Sequence, residues 1–433
     1  MAVNFWCLKL RIAAISGFLL VSISVTSARA QPKPQSLATI EPLVARLEMK
    51  LTLGEKVIDV IEKGDLLTVL AERPDSYVIQ TYNGHKGAVA KNNAVKLAES
   101  IDVYNDLIAA KKDDGRLYTL RAGAWWALNK FEEALADFDK AIEIGYQSPH
   151  AYASRGMFHA SMRNYDRAIS DYSIAIEKNP KDDASFLNRA SVYMTSGKVN
   201  EALDDYTRAI ELKPANAVLY QQRAVAYKIA GKLQQSITDY DKAIELTPAD
   251  VAAWMGRGFV QFQLGNHEAA IADFSKVIEL SPQTAVAYNN RGYNLQRLSK
   301  LKDALEDFEQ AIKLAPKYGL AHQNKAWLLT LADDAAIRDA KKAIESATAA
   351  CELSEYKDIN DLTALGAALA ADGQFEKAIG WQEKIIELSS DSQKPFAKSI
   401  MELYEQKKTF DPKIAEQAVT NNPNSSTAKP PDR

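Results

Sequence analysis

Histidine, cysteine and clustered acidic residues are the side chains most able to do chemistry, and this chain has few of them in a useful arrangement. Its 433 residues include five histidines, and none pairs with another at the spacing of metal ligands. Of the two cysteines, Cys351 lies among alanine and leucine in a helical pattern, which predicts a buried, unreactive thiol. The sequence therefore predicts no catalytic residues, no metal site and no cofactor, so we do not expect an enzyme.

Arginine and aspartate, by contrast, recur at a fixed interval of 34 residues. The arginines are Arg121, Arg155, Arg189, Arg223, Arg257 and Arg291, and the aspartates are Asp137, Asp171, Asp205, Asp239, Asp273 and Asp307. They could form a basic ladder for an acidic ligand, or a structural row of Arg–Asp ion pairs between packed helices. Further along the chain both positions become apolar together, as Leu365 and Trp381. Because a lone buried charge is costly, this joint change favours ion pairs.

Aromatic residues and prolines repeat at the same interval. One aromatic series is Tyr118, Tyr152, Phe186, Tyr220, Trp254 and Tyr288, a second is Phe138, Tyr172, Tyr206, Tyr240, Phe274 and Phe308, and the prolines are Pro180, Pro214, Pro248, Pro282 and Pro316. Alanine or glycine occupies two further fixed positions, where two helices must approach closely. Each unit therefore predicts two antiparallel helices, the second of which ends at the proline.

This pattern resembles the tetratricopeptide repeat (TPR). The resemblance covers about two thirds of the chain and implies a mostly α fold, a solenoid of about eight helical hairpins that binds proteins. We place six regular repeats at 115–148, 149–182, 183–216, 217–250, 251–284 and 285–318. An irregular repeat with about six extra residues follows at 319–358, then a last repeat at 359–392 and a capping helix at 393–410.

The segment 43–97 has short apolar runs between turn signals, which predicts strands. Asn83-Gly84 is the strongest hairpin signal in the chain. The runs KGDLLTVL, DSYVIQT, NGHKGAV and NNAVKL resemble the bacterial SH3-like domain, although that family commonly has Trp where Tyr77 stands. The resemblance implies a small β-barrel, and residues 98–114 are predicted to form a helix that connects it to the repeats.

The TPR resemblance places certain positions of each first helix on the inner, concave face of the stack. The residues there that we predict to form a partner-binding groove are Trp126, Met194, Val225, Met255, Phe259, Phe262, Tyr293 and Trp327. TPR domains that bind acidic chaperone tails use Lys, Arg and Asn at such positions, and only Lys228, Arg297 and Asn289 approximate that set. We therefore expect a protein or peptide with apolar anchors. The alternative is that these side chains pack against neighbouring helices.

The first thirty residues read as a secretory signal peptide. Lys9 and Arg11 precede a short apolar run, and Ala28-Arg29-Ala30 fits the cleavage rule. Cleavage would change the net charge from −3 to −6, because it removes three basic residues and no acid. A mildly acidic chain without a basic stripe is a poor nucleic-acid binder. We expect a linker at 31–42, a disordered tail at 411–433 and no membrane span after cleavage; the alternative is an uncleaved membrane anchor.

These patterns together predict an exported scaffold, periplasmic or secreted, that holds a partner in the groove of a TPR array. The alternative is a cell-wall protein tethered to peptidoglycan through the SH3-like segment.

We predict that the mature protein begins at Gln31, because signal peptidase cleaves after small residues such as Ala30. Intact-mass measurement of the protein recovered after export checks this. A mass that still includes residues 1–30 would support the membrane anchor instead.

Overall fold

The computed structural model describes residues 43–53, 56–81 and 84–410. The predicted signal peptide, the linker at 31–42 and the tail at 411–433 lie outside these residues, as does Asn83 of the predicted hairpin turn. The chain divides into two compact units, one ending at Gly231 and the other beginning at Lys232.

Seven strands precede the helices. They are β1 (Leu43–Ala45), β2 (Met49–Leu53), β3 (Lys56–Ile61), β4 (Leu66–Glu72), β5 (Ser76–Gln80), β6 (Lys86–Ala90) and β7 (Ala94–Lys96). Five of them form an antiparallel, curled sheet in the order β6-β5-β4-β1-β7, and β2 pairs with β3. Leu67, Val69 and Ile79 are among the alternate residues that the sheet buries in one core. We call residues 43–96 the strand module; its SH3-like identity stays a prediction.

Helix α1 (Ser100–Ala110) joins the strand module to the first repeat. The hydroxyl of its buried Tyr104 donates a hydrogen bond to the Gly64 carbonyl at 3.0 Å, and burial raises the pKa of this phenol. Arg116, at the start of the first repeat, pairs with Asp65 of the module at 2.7 Å. An apolar cluster and an ion pair therefore attach the module to the repeats.

The remaining helices follow the 34-residue period. They are α2 (Gly115–Ala127), α3 (Phe131–Glu143), α4 (Pro149–Ser161), α5 (Tyr165–Lys178), α6 (Asp183–Thr195), α7 (Val199–Leu212), α8 (Ala217–Ile229), α9 (Leu233–Leu246), α10 (Val251–Gln263), α11 (His267–Leu280), α12 (Ala285–Arg297), α13 (Leu301–Leu314), α14 (Gly319–Leu331), α15 (Ala340–Leu353), α16 (Ile359–Ala371), α17 (Phe375–Leu388) and α18 (Lys394–Glu405). Successive pairs from α2–α3 to α16–α17 make repeats 1 to 8, so the prediction of a mostly helical solenoid is confirmed.

Helix starts and hairpin cores both follow from residues at fixed positions. Many first helices begin at a side chain that accepts a hydrogen bond from the backbone N–H two residues on; these are Asp114, Ser148, Asp182, Asn216 and Asp250. The aromatic series from Phe138 to Phe308 is buried on the second helices, beside alanines with no exposed surface such as Ala134 and Ala304. Large rings thus fill the space that small residues leave.

Repeat 7 departs from the regular spacing. Eight residues join its helices, whereas three join the helices of repeat 6 or repeat 8. After repeat 8, helix α18 buries Ile400 and Tyr404, and the Gln382 side chain of α17 donates a hydrogen bond to the Ala397 carbonyl at 2.8 Å. The prediction that Cys351 is buried is confirmed, and burial raises the pKa of its thiol to about 12. Within the described part of the chain, no helix has the length and apolar character to cross a membrane.

Two helical glycines offer a test of this packing. A Cβ at Gly256 would lie 2.4 Å from Cζ of the buried Tyr240 ring, whereas a Cβ at Gly380 would meet nothing within 4 Å. Gly256→Ala should therefore destabilise the protein by about 1–3 kcal/mol through overpacking. Gly380→Ala should stabilise it by about 0.5–1 kcal/mol, since alanine favours helix. Urea denaturation of the two variants measures both effects, and equal stabilisation would show that the Tyr240 ring is not confined.

Candidate functional site

The arginines at position 7 of the repeats chelate the aspartates at position 23 of the same repeats. The Nε and Nη2 atoms of each arginine donate to the two carboxylate oxygens of its aspartate over 2.6–3.0 Å. The pairs are Arg121–Asp137, Arg155–Asp171, Arg189–Asp205, Arg257–Asp273 and Arg291–Asp307. Such planar, bidentate pairs are the strongest and most directional that arginine makes.

Each arginine also reaches back to the repeat before it. Its Nη1 atom donates to a side-chain oxygen sixteen residues earlier, over 2.5–3.2 Å. The acceptors are Asn105, Asp139, Ser173, Thr207, Asp241 and Ser275, all on the preceding second helix or on α1. Sequence analysis missed this position because its residue type changes while its role as an acceptor stays the same. Asn105 lies in α1, so α1 acts as the second helix of an incomplete first repeat.

The environment of the ladder explains its electrostatics. In the pair of Arg189 and Asp205, the arginine side chain is 18% exposed and the carboxylate 7%. The hydrogen bonds from Asp205 raise the pKa of Arg189, and burial raises the pKa of Asp307 against the pull of its arginine. Asp239 is likewise buried, and Arg223 bonds to the Thr207 hydroxyl at 3.1 Å.

Aromatic rings cover the guanidinium groups as well, such as the Trp254 ring centroid 4.8 Å from Cζ of Arg257. Three nitrogens and one face of such an arginine are therefore occupied by the protein itself. This geometry favours the structural ladder over a basic surface for an acidic ligand.

Phe262 and Tyr293 come together on the first helices of repeats 5 and 6. Their rings meet edge to face with centroids 5.4 Å apart, and both side chains keep part of their surface exposed. His267 lies beside Phe262 and bonds to the Asn294 amide oxygen at 2.8 Å, which fixes one side of the pair. We call Phe262 and Tyr293 the aromatic pair.

The other predicted groove residues of the second unit have packing partners. Phe259 meets the fully buried Phe274 ring edge to face at 5.6 Å. Trp327 lies 5.3 Å from the ring of Phe410, which follows the last helix. Met255 is half-buried. Packing therefore accounts for Phe259 and for much of Trp327.

In the first unit, Trp126 is 7% exposed and meets Phe158 edge to face at 5.7 Å, so it belongs largely to the core. Met194 and Val225 are half-buried, and Met194 packs against the core of repeat 3. The predicted groove thus divides into packed rings and a smaller exposed set.

Amide side chains next to the aromatic pair were missed by the sequence analysis, apart from Asn289. The Asn324 amide donates to the Asn289 oxygen at 2.9 Å, and Gln323 donates to Asp361 at 2.7 Å. The buried Asn290 Nδ2 has no hydrogen-bond partner among the described residues. Asn290 and Asn324 lie 34 residues apart in the sequence, which is the signal that could have found them.

The first helices of neighbouring repeats also touch one another directly, as α12 does α14 and α14 does α16. Residues on those helices therefore share one continuous surface. Across the described residues, no group of three or more His, Cys, Asp or Glu side chains could hold a metal ion.

Family models recognise this helical part. Tetratricopeptide-repeat models match residues 94–149, 156–217 and 250–317, and a TPR-repeat model matches 226–265. The helical hairpins are tetratricopeptide repeats. The first match begins at residue 94, so it includes α1, in keeping with the place of Asn105 in the ladder.

Solved TPR structures resemble the chain in fold. The C-terminal part of a TPR repeat-containing protein from Cytophaga hutchinsonii is 23% identical, with a TM-score of 0.48 over 56% of this chain and 98% of that one. A TPR protein from Parabacteroides merdae is 19% identical (TM-score 0.44; 60% and 99%). YrrB, described as a TPR protein with an unusual peptide-binding site, is 24% identical (TM-score 0.39; 42% and 95%). No curated protein matches the chain.

The ladder leads to a stability prediction. Arg189→Leu should cost about 3–5 kcal/mol, because it leaves the buried Asp205 carboxylate without its counter-ion. Adding Asp205→Asn should recover much of the loss, since the charge is then gone as well. Urea denaturation measures both.

The matched control is Arg208→Leu. Arg208 lies in the same repeat and pairs with Glu211 at the surface, where both side chains are at least half exposed. Removing that pair should cost about 0–1 kcal/mol. If Arg189→Leu proved no more damaging than Arg208→Leu, the ladder would not behave as a buried ion pair.

Proposed function

We propose that this chain is a scaffold that binds a peptide or protein segment with apolar anchors on the face formed by its first TPR helices. The observation that carries the proposal is the aromatic pair, two partly exposed rings on adjacent repeats. A non-enzymatic role accords with TPR proteins in general, which act as scaffolds.

The aromatic pair has the features of an anchor site. Partly exposed aromatic surface on a soluble protein tends to mark contacts, and aromatic residues carry a large share of binding energy once a ligand desolvates them. Tyr293 offers a hydroxyl as well as a ring, which suits a partner that is apolar at one end and polar at the other. An apolar side chain set against these rings would therefore gain affinity.

Asn290 adds a polar contact beside the rings. It lies one helical turn before Tyr293, and its Nδ2 donor has no protein partner within the described residues. A peptide carbonyl would satisfy this donor, whereas leaving it buried and unbonded costs free energy. The combination of rings and an amide favours an extended or helical peptide over a purely apolar ligand.

Charge argues against an acidic tail as the partner. The ladder arginines are already paired with aspartates, and burial lowers the pKa of Lys228, so its cationic form is disfavoured. The chain itself has a net charge of −3, which would repel an acidic peptide. Neutral, apolar segments are the better fit.

Two finer parts of the proposal rest on the sequence alone. Export to the periplasm or the medium follows from the signal-peptide pattern of residues 1–30. Attachment to peptidoglycan through the strand module is the alternative role, and it follows from the SH3-like resemblance.

The proposal predicts the outcome of peptide selection. Peptides selected from a random display library on the full chain should carry apolar or aromatic anchors and few acids. Phe262→Ala with Tyr293→Ala should weaken the best peptide by roughly 2–4 kcal/mol, because both anchor rings are lost. Isothermal titration calorimetry measures the affinity, and circular dichroism checks that helicity is kept.

Phe131→Ala is the matched control, since Phe131 is an exposed ring at the start of α3. It should leave the affinity unchanged. Selected peptides that bind the double variant as tightly as the wild type would place the binding site elsewhere. Retention of the double variant on purified peptidoglycan, with no peptide selected, would favour the cell-wall role.

A further inference from the structure

A small pocket lies in the first unit, where the strand module, α1 and repeats 1 and 2 meet. It has a volume of about 30 Å³. Leu66 and Leu97 approach it from the module side, and Gly123, Trp126 and Met157 approach it from the first helices of the repeats. None of the described residues that line it is charged.

The polar atoms in its wall are occupied, with one exception. The Tyr104 hydroxyl donates to the Gly64 carbonyl at 3.0 Å, and the Thr119 hydroxyl donates to the Gly115 carbonyl at 3.0 Å. Ser154 also lines the pocket and is only 4% exposed, yet its Oγ has no hydrogen-bond partner among the described residues. A buried hydroxyl left unbonded is costly, so Ser154 points to a ligand.

Size and polarity define what the pocket can hold. A water molecule needs roughly 10–15 Å³ on the same measure, so the space suits two or three heavy atoms. That is the size of a methyl or isopropyl group and too small for an aromatic ring. A buried water needs two to four polar partners, and apolar cavities stay dry, so this wall with one available hydroxyl holds water poorly.

We propose that this pocket binds the short aliphatic side chain of a peptide, alanine or valine, whose neighbouring amide hydrogen-bonds to Ser154 Oγ. Gly123 makes room for it. The equivalent position of the first helix carries Met157 in repeat 2 and Phe259 in repeat 5, so the missing side chain opens space at this end of the array. The pocket is a site distinct from the aromatic pair, which lies in the second unit, and the two sites are tested separately.

The test uses the full chain labelled with ¹³C at its methionine methyl groups, and N-acetyl-L-valinamide as the probe. The methyl resonance of Met157, assigned by Met157→Leu, should shift in a saturable way as the probe is added. The resonance of Met255, in the second unit, should not move. N-acetyl-L-phenylalaninamide should give no saturable shift at Met157, because its ring exceeds the space.

Two variants locate the contact. Gly123→Val should abolish the shift, since the protein's own isopropyl group then fills the pocket. Ser154→Ala should weaken probe binding about fivefold, the value of one hydrogen bond. Ser161→Ala is its control, because that hydroxyl lies in the same helix and donates to the Phe158 carbonyl at 2.7 Å.

The proposal is overturned if the wild-type chain gives no saturable shift at Met157, which would mean that the pocket holds water or nothing. It is overturned equally if the shift survives Gly123→Val, or if Ser154→Ala binds the probe as tightly as Ser161→Ala. None of these outcomes affects the peptide selection at the aromatic pair.

Discussion

The fork of hydrogen bonds from each position-7 arginine is the interaction on which the repeat stack depends. Two nitrogens of Arg189 bond to Asp205 in its own repeat, and the third bonds to Ser173 in the repeat before. A helical hairpin cannot bury its apolar faces alone, so it needs its neighbours. Apolar packing supplies most of that association but tolerates sliding, whereas a planar guanidinium accepts few geometries. The ladder therefore fixes the register in which successive hairpins pack.

This use of charge shapes what the array can bind. Because the arginines are engaged within the stack, the face of the first helices presents rings and amides in their place. Phe262, Tyr293 and Asn290 combine a partly exposed apolar surface with an amide donor that has no protein partner in the described structure. The same logic appears at the strand module, where an apolar wall surrounds the Ser154 hydroxyl. Both places suit uncharged peptide groups.

The 34-residue period predicted the hairpins well, because identical packing problems recur and are solved by identical residue types. The binding face was less predictable. Phe259 and Phe262 lie one turn apart on one helix, yet one packs on Phe274 and the other on Tyr293, a difference set by neighbouring helices. Trp327 meets Phe410, which is 83 residues further along, and no periodicity reveals such a contact. Side-chain exposure is a tertiary property, so sequence alone could only nominate the face.

The last repeats show what the ladder is for. In repeat 7 a lysine, Lys325, keeps the backward bond to Glu309 at 2.8 Å, and in repeat 8 Leu365 and Trp381 replace the pair. Trp381 stacks on Tyr356 at 5.2 Å, and Leu365 is buried in the core that α18 completes. Apolar residues can therefore replace the ion pair without loss of packing, as is often found for buried pairs. A repeat at the end, beside a unique capping helix, has its position defined by that helix. Repeats with similar neighbours on both sides have no such mark, and this is where the directional ion pairs are found.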